Sequence, residues 1–342
     1  MSFHRINGGS IRSIFNVIPS QSVDNLTEEL IPASDRESMV AHTGIRFRRK
    51  FPEQTVTTTQ LFIEGIKRTL SELQWDPNGI SALVCVTQTP ETHIPAVSCI
   101  LHNEFKLPAS TACLDINLGC SGYVYGLHQL FSLLQNQIGE SGRALLCCGD
   151  ITSSLIKHDK ATVPIFSDGV SVTAVEFDRN NLQEEYCSYF NLETLGSGHT
   201  AIRSEFVGHK EVMRLNGIEV FNYSVQFVPK HIKDLLQLVD KERISLVVLH
   251  QANKLINDAI AKRISLPQAH CPSTLYRYGN MASASIPITL VDYLSSTAST
   301  GVISYALLSG FGVGFSMGSV VLPLESDIKY ANLEFPISSN EN

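Results

Sequence analysis

Cys120 is the side chain in this 342-residue sequence best set to do chemistry. It stands in Leu114-Asp115-Ile116-Asn117-Leu118-Gly119-Cys120-Ser121-Gly122, where an apolar run gives way to small residues and then to a helical pattern. That context predicts a cysteine beside a helix N-terminus, where unpaired backbone N–H groups and the helix dipole favour a nucleophilic thiolate. His250 closes the apolar run Val247-Val248-Leu249 and precedes Gln251-Ala252-Asn253, the strand-end position at which open α/β sheets gather their ligands. Asn280 lies in Tyr278-Gly279-Asn280-Met281-Ala282-Ser283. The stretch Ser309-Gly310-Phe311-Gly312-Val313-Gly314 is too rich in glycine for a packed strand and lacks the lysine of a phosphate loop, so it reads as a loop offering backbone N–H groups. Taken singly, each has an ordinary structural reading: a buried cysteine, a hydrogen-bonded histidine, a helix cap. Their order along the chain carries more than any one of them.

The elements that must position these residues read as α/β. Short runs rich in Val, Ile and Leu alternate with longer amphipathic stretches, the pattern of parallel strands covered by helices. Strands are expected over 81–87, 112–117, 144–149, 170–177, 245–250, 301–309 and 314–322. Helices are expected over 57–73, 97–105, 122–135, 225–237, 252–264 and 286–296. The two halves share an order of features. A strand ends in Thr87-Gln88 or His250-Gln251, and later small residues open a helix, at Gly119-Cys120-Ser121-Gly122 or Gly279-Asn280-Met281-Ala282-Ser283. This suggests an internal duplication, with a join in the polar stretch 178–186 and halves at 1–180 and 181–342.

A composition 43% hydrophobic and 17% charged can bury a large core, and the net charge of -7 argues against nucleic acid as the main partner. No stretch reads as a signal peptide or an 18-residue membrane span, so the expected location is the cytoplasm. The eight cysteines form no CxxC pair, and no metal site is expected.

Cys120, then His250-Gln251-Ala252-Asn253, then Tyr278-Gly279-Asn280, then the glycine-rich loop is an order that resembles the β-ketoacyl-acyl carrier protein synthase III family throughout. Thr43-Gly44-Ile45, Phe166-Ser167-Asp168-Gly169 and Gly217 with Glu219-Val220-Phe221 extend the resemblance. It implies a thiolase-like fold of two similar βαβαβαββ halves, five layers in α-β-α-β-α order, and a homodimer. It implies further that Cys120 takes an acyl group from acyl-CoA or an acylated acyl carrier protein (ACP), the oxyanion being held by backbone N–H groups of Cys120 and of Val313, between Gly312 and Gly314. His250 and Asn280 would then stabilise the enolate formed as malonyl-ACP loses carbon dioxide, giving a 3-oxoacyl-ACP with no permanently bound cofactor. Thr43, Ile94, Phe221 and Asn253 would line the acyl and pantetheine pocket, Ile94 by reaching into a partner's pocket. Lys254, Lys262 and Arg263 follow on one predicted helix, with Lys254 and Lys262 on roughly the same face, and would receive an acidic ACP.

Departures from the family pattern concern the acyl donor. Ser38 and His42 stand where a tryptophan and an arginine commonly hold the coenzyme A nucleotide, Lys160 replaces an arginine, and Ile218 replaces an asparagine near the tunnel. An alternative reading keeps Cys120 as an acyl carrier and passes the group to an alcohol, amine or sugar without decarboxylation. A third, a silent acyl-binding subunit, conflicts with the retention of all three chemical residues.

Overall fold

The computed structural model describes residues 2–336 apart from 53–55, 140, 157–158, 160, 181, 184–185 and 297–304. Numbered along the chain, one sheet is built from β2 (Gly9–Pro19), β5 (Ile80–Val86), β6 (Ala112–Ile116), β7 (Ser141–Asp150), β8 (Gly169–Asp178) and β15 (Lys329–Phe335). The other holds β1 (Ser2–Asn7), β9 (Cys187–Thr194), β12 (Ile244–Leu249), β13 (Tyr305–Gly312) and β14 (Ser316–Pro323). The spatial orders are β15-β2-β8-β7-β5-β6 and β1-β9-β14-β13-β12. Two small antiparallel pairs, β3 (Ser22–Asp24) with β4 (Phe47–Arg49) and β10 (Ile202–Val207) with β11 (Lys210–Leu215), stand outside them.

Eight helices cover and separate the sheets among the described residues: α1 (Arg36–Thr43), α2 (Thr58–Leu73), α3 (Val97–Glu104), α4 (Gly122–Gln135), α5 (Gly217–Leu235), α6 (Lys254–Ile264), α7 (Leu275–Tyr278) and α8 (Ser285–Ser296). The apolar clusters show the layering. Leu61, Phe62 and Ile66 of α2 and Leu101 of α3 pack on one face of the first sheet. Tyr123, Leu127 and Leu130 of α4 and Ile286 and Leu290 of α8 fill the space between the sheets. Val228, Ile232 and Leu235 of α5 and Ile256 and Ile260 of α6 cover the outer face of the second. The result is the expected α-β-α-β-α stack.

The two sheets share an order of strand directions. In the first sheet β2 and β8 are antiparallel, as are β8 and β7, while β7 and β5 are parallel. The series β9, β14, β13, β12 repeats those directions in the second. Even the place of β6 beside β5 has an echo, a parallel bridge from Leu246 of β12 to His270. The terminal strands cross between the halves: β1 joins the second sheet and β15 the first.

The sheets are mixed, not parallel as the apolar runs suggested. Antiparallel β8 and β14 are covered on both faces, so they carry the continuous apolar and small residues that otherwise mark parallel strands. β2 escapes a sequence reading because Ser13 and Asn16 are fully buried within it. β1, β9, β15 and the β10–β11 hairpin were likewise not anticipated. Helix α5 starts at Gly217 rather than 225, because Asn216 caps it through the Glu219 N–H at 3.3 Å while exposed Ile218 and Phe221 blur the apolar stripe. The predicted strand over 301–309 falls partly outside the described residues, which resume at Tyr305.

Candidate active site

Cys120 is reached through β6 and a single 3-10 turn, Gly119–Ser121, that runs directly into α4. Gly119 sits at φ +52°, and a side chain there would meet Gln88 Oε1 at 2.5 Å and Val313 Cγ2 at 3.2 Å. The glycine-rich loop at the end of β13 is pressed onto the cysteine. An ideal Cβ on Gly312, whose φ is +155°, would lie 3.0 Å from Cys120 Cβ and 3.2 Å from its Sγ. Hydrogen bonds hold that loop: Ser121 Oγ and Ser316 Oγ are 2.6 Å apart, and Ser316 Oγ donates to the Val313 carbonyl at 2.6 Å. The sulfur is thus enclosed between a helix start and a loop that brings backbone against it.

His250 follows β12 and is locked to the same β13. Its N–H donates to the Ser309 carbonyl at 2.8 Å, its carbonyl accepts from Asn257 Nδ2 at 3.0 Å, and its ring meets Phe311 edge-on at 5.5 Å. Asn280 is held by its backbone, donating to the Ile165 carbonyl at 3.0 Å and accepting from the Ser167 N–H at 2.8 Å. Its Oδ1 accepts the Ala282 N–H at 2.9 Å, an Asx-type turn that leaves Nδ2 as a donor. The Ala282 backbone, two residues past Asn280, also acts on the His250 ring, favouring its protonated form against the larger effect of burial. Three distant segments therefore meet at one buried place, with Cys120 6%, His250 2% and Asn280 4% exposed.

Burial sets the electrostatics. It pushes the Cys120 thiol up to about 12, aided by the Asp150 charge and opposed by backbone hydrogen bonding at Cys120. The same burial pulls His250 down to about 3. Both shifts favour the uncharged forms, a thiol and an imidazole, and so act against the thiolate that the helix N-terminus favours. Asp150, which sequence reasoning passed over, ends β7 fully inside. It accepts from Thr87 Oγ1 at 3.0 Å, the Gln88 N–H at 2.5 Å and Ser283 Oγ at 3.4 Å, and burial raises its pKa. A charge ending the apolar run 144–149 was the available signal.

The amino-acid sequence matches the family model of 3-oxoacyl-[acyl-carrier-protein] synthase III over residues 114–191 and the model of its C-terminal part over 237–324. A Campylobacter fetus relative named β-ketoacyl-[acyl-carrier-protein] synthase III is 30% identical over 327 residues, 92% of this chain and 97% of that one. This chain belongs to the 3-oxoacyl-[acyl-carrier-protein] synthase III family. A Streptococcus mutans protein of the same name is 28% identical over 90% of this chain and 96% of its own. The crystal structure of a 3-oxoacyl-(acyl-carrier protein) synthase from Burkholderia xenovorans LB400 superposes with a TM-score of 0.87 at 29% identity, covering 96% and 99% of the two chains. The fold is accordingly the thiolase-like fold of that family.

Around the centre of this synthase III chain the remaining expected residues behave unequally. Ile94 is 88% exposed, and Phe221 is exposed on α5. Thr43 spends its hydroxyl locally, donating to the Met39 carbonyl at 2.8 Å and accepting from the Ile45 N–H at 3.2 Å. Asn253 caps α6, accepting from the Ile256 N–H at 2.9 Å. Lys254 and Lys262 are exposed on α6, Lys254 paired with Asp258, but the Arg263 guanidinium donates to the Val225 carbonyl of α5 and ties two helices together. His42 bonds back to Ser38 within α1, and Lys160 lies outside the described residues. Among the described residues there is no cluster of metal-binding side chains, and no helix is long and apolar enough to cross a membrane.

Proposed function

We propose that this chain catalyses a decarboxylative Claisen condensation in which Cys120 carries the acyl group and malonyl-ACP supplies two carbons. Because burial favours a neutral Cys120 and a neutral His250, attack on the donor thioester is coupled to proton removal: the imidazole accepts the thiol proton as the carbon–sulfur bond forms, then passes it to the departing thiolate, which leaves as the thiol. Negative charge appears on the thioester oxygen, where N–H groups of Cys120 and Val313 can receive it. With malonyl-ACP bound, His250 and Asn280 Nδ2 act as neutral donors to its thioester carbonyl. Loss of carbon dioxide leaves an enolate on that carbonyl, and its carbon attacks the Cys120 thioester. The products are a 3-oxoacyl-ACP and the free cysteine.

One observation carries this reading: the Asn280 carboxamide oxygen is occupied by the Ala282 N–H, so its NH2 is the group left to donate. Lys254 and Lys262 are proposed to meet the acidic carrier protein, Thr43, Phe221 and Asn253 to flank its pantetheine arm, and Ile94 to complete the acyl pocket of a second copy in a homodimer. The halves 1–180 and 181–342 are proposed as its two duplicated units. The test supplies labelled malonyl-ACP with a panel of acyl donors and measures carbon dioxide release by wild type and Asn280→Ala. Release that requires a donor and falls by about 10²–10³-fold in the variant is expected. Acylation of Cys120 without any release would overturn the condensing assignment.

A further inference from the structure

Residues that neighbour Cys120, though not Cys120 itself, wall a cavity of about 80 Å³: its lining includes Gln88, Asn117, Arg203 and Glu211 as well as apolar Leu155, Met213 and Val313. Its walls connect it to the nucleophile: Val313 adjoins Gly312, which lies against Cys120, and both Val313 and Gln88 close on Gly119. The apolar walls would take an alkyl chain, but one side of the cavity carries carboxamides. Gln88, just past the end of β5, donates from Nε2 to Asn117 Oδ1 at 3.1 Å, three residues before the cysteine. That single bond uses one donor and one acceptor of the two carboxamides. Were both amides turned over, the bond would run the other way and the remainder would be the same: donor and acceptor capacity left at the cavity wall. An alkyl group pressed against that wall would strip water from these groups and return nothing; a hydroxyl would accept from one amide and donate to the other.

We infer that Gln88 and Asn117 determine acyl specificity, selecting short acyl groups that carry a hydrogen-bonding substituent, a hydroxyl foremost, over alkyl groups of equal length. The inference rests on the proposal that Cys120 is acylated from a thioester. Arg203 contributes less, because it already donates to the Thr200 carbonyl at 3.2 Å and pairs with Glu205 at 3.6 Å. The preference arises before condensation, since it concerns the group standing on the cysteine.

The experiment presents the full chain with butyryl-CoA and with 2-, 3- and 4-hydroxybutyryl-CoA, following Cys120 acylation by intact mass and condensation with malonyl-ACP by kcat/KM. Wild type is expected to favour at least one hydroxyacyl donor by about tenfold, the scale of one unpaired amide. Gln88→Leu and, separately, Asn117→Ala should abolish that preference while still accepting butyryl-CoA, which also shows that each variant is folded. Acylation by all donors without discrimination, or a preference that survives both substitutions, overturns the assignment and leaves the condensing reading intact. If no donor acylates Cys120, whether offered as the CoA or as the ACP thioester, the condensing reading fails and this one fails with it.

Discussion

Replacing Gly312 by alanine tests whether the glycine-rich loop is shaped to the cysteine it covers. The added methyl would sit 3.2 Å from Cys120 Sγ and 3.0 Å from its Cβ, against an ordinary contact distance of about 3.5–4.0 Å. The sulfur must retreat by about 0.5 Å or the loop must lift by a similar amount. Misplacing a reacting group by about 1 Å costs on the order of 10²-fold, so about tenfold is expected here. The φ of +155° adds backbone strain of about 1–3 kcal/mol for a residue with a Cβ, a load that a domain stable by about 5–15 kcal/mol survives. The assay is the single-turnover acylation rate of Cys120 by intact mass, with circular dichroism melts alongside. Gly196→Ala is the control, since nothing lies within 4 Å of its ideal Cβ, and it should acylate at the wild-type rate. A folded Gly312→Ala protein acylating within twofold of wild type would refute the idea that this close approach positions the nucleophile.

Two further outcomes follow from buried charge. With the thiol pushed up to about 12, iodoacetamide labelling of Cys120 should keep rising about tenfold per pH unit well above pH 9, where an ordinary thiol levels off. A plateau near pH 7 would show a resting thiolate. The Arg48 guanidinium is 3% exposed and bonds Glu28 at 2.5 Å and Asn25 at 2.6 Å, the latter also holding the Ile45 and Pro164 carbonyls. Arg48→Met should therefore cost about 3 kcal/mol in urea melts, by leaving Glu28 without its partner. A loss below about 1 kcal/mol would mean that water replaces the arginine.

The amino-acid sequence by itself determined the chemistry on offer and most of the framework. Cys120 and His250 stood out because each sits where an apolar run breaks into small or polar residues, a local signal, whereas Asn280 follows Tyr278-Gly279 and stood out only through the order of the three segments. Helix α4 was read with its observed bounds, and the alternation of apolar runs gave the α/β class, while the layer order came from the family resemblance. The tertiary structure decided what depends on partners distant in sequence. Strand direction in β8 and β14 was hidden because burial on both faces removes the alternation that distinguishes antiparallel strands. β2 was hidden because Ser13 and Asn16 enter the core, where Asn16 Nδ2 meets Asn332 Oδ1 at 2.7 Å, a partner 316 residues away. The protonation of Cys120 was likewise beyond the sequence: a helix N-terminus favours the thiolate, but how much water the glycine loop excludes, and how near Asp150 stands, are set by β13 and β7. The free capacity of Gln88 and Asn117 belongs to the same class, since it exists only because adjacent strands β5 and β6 bring the two amides together at one end of a sheet.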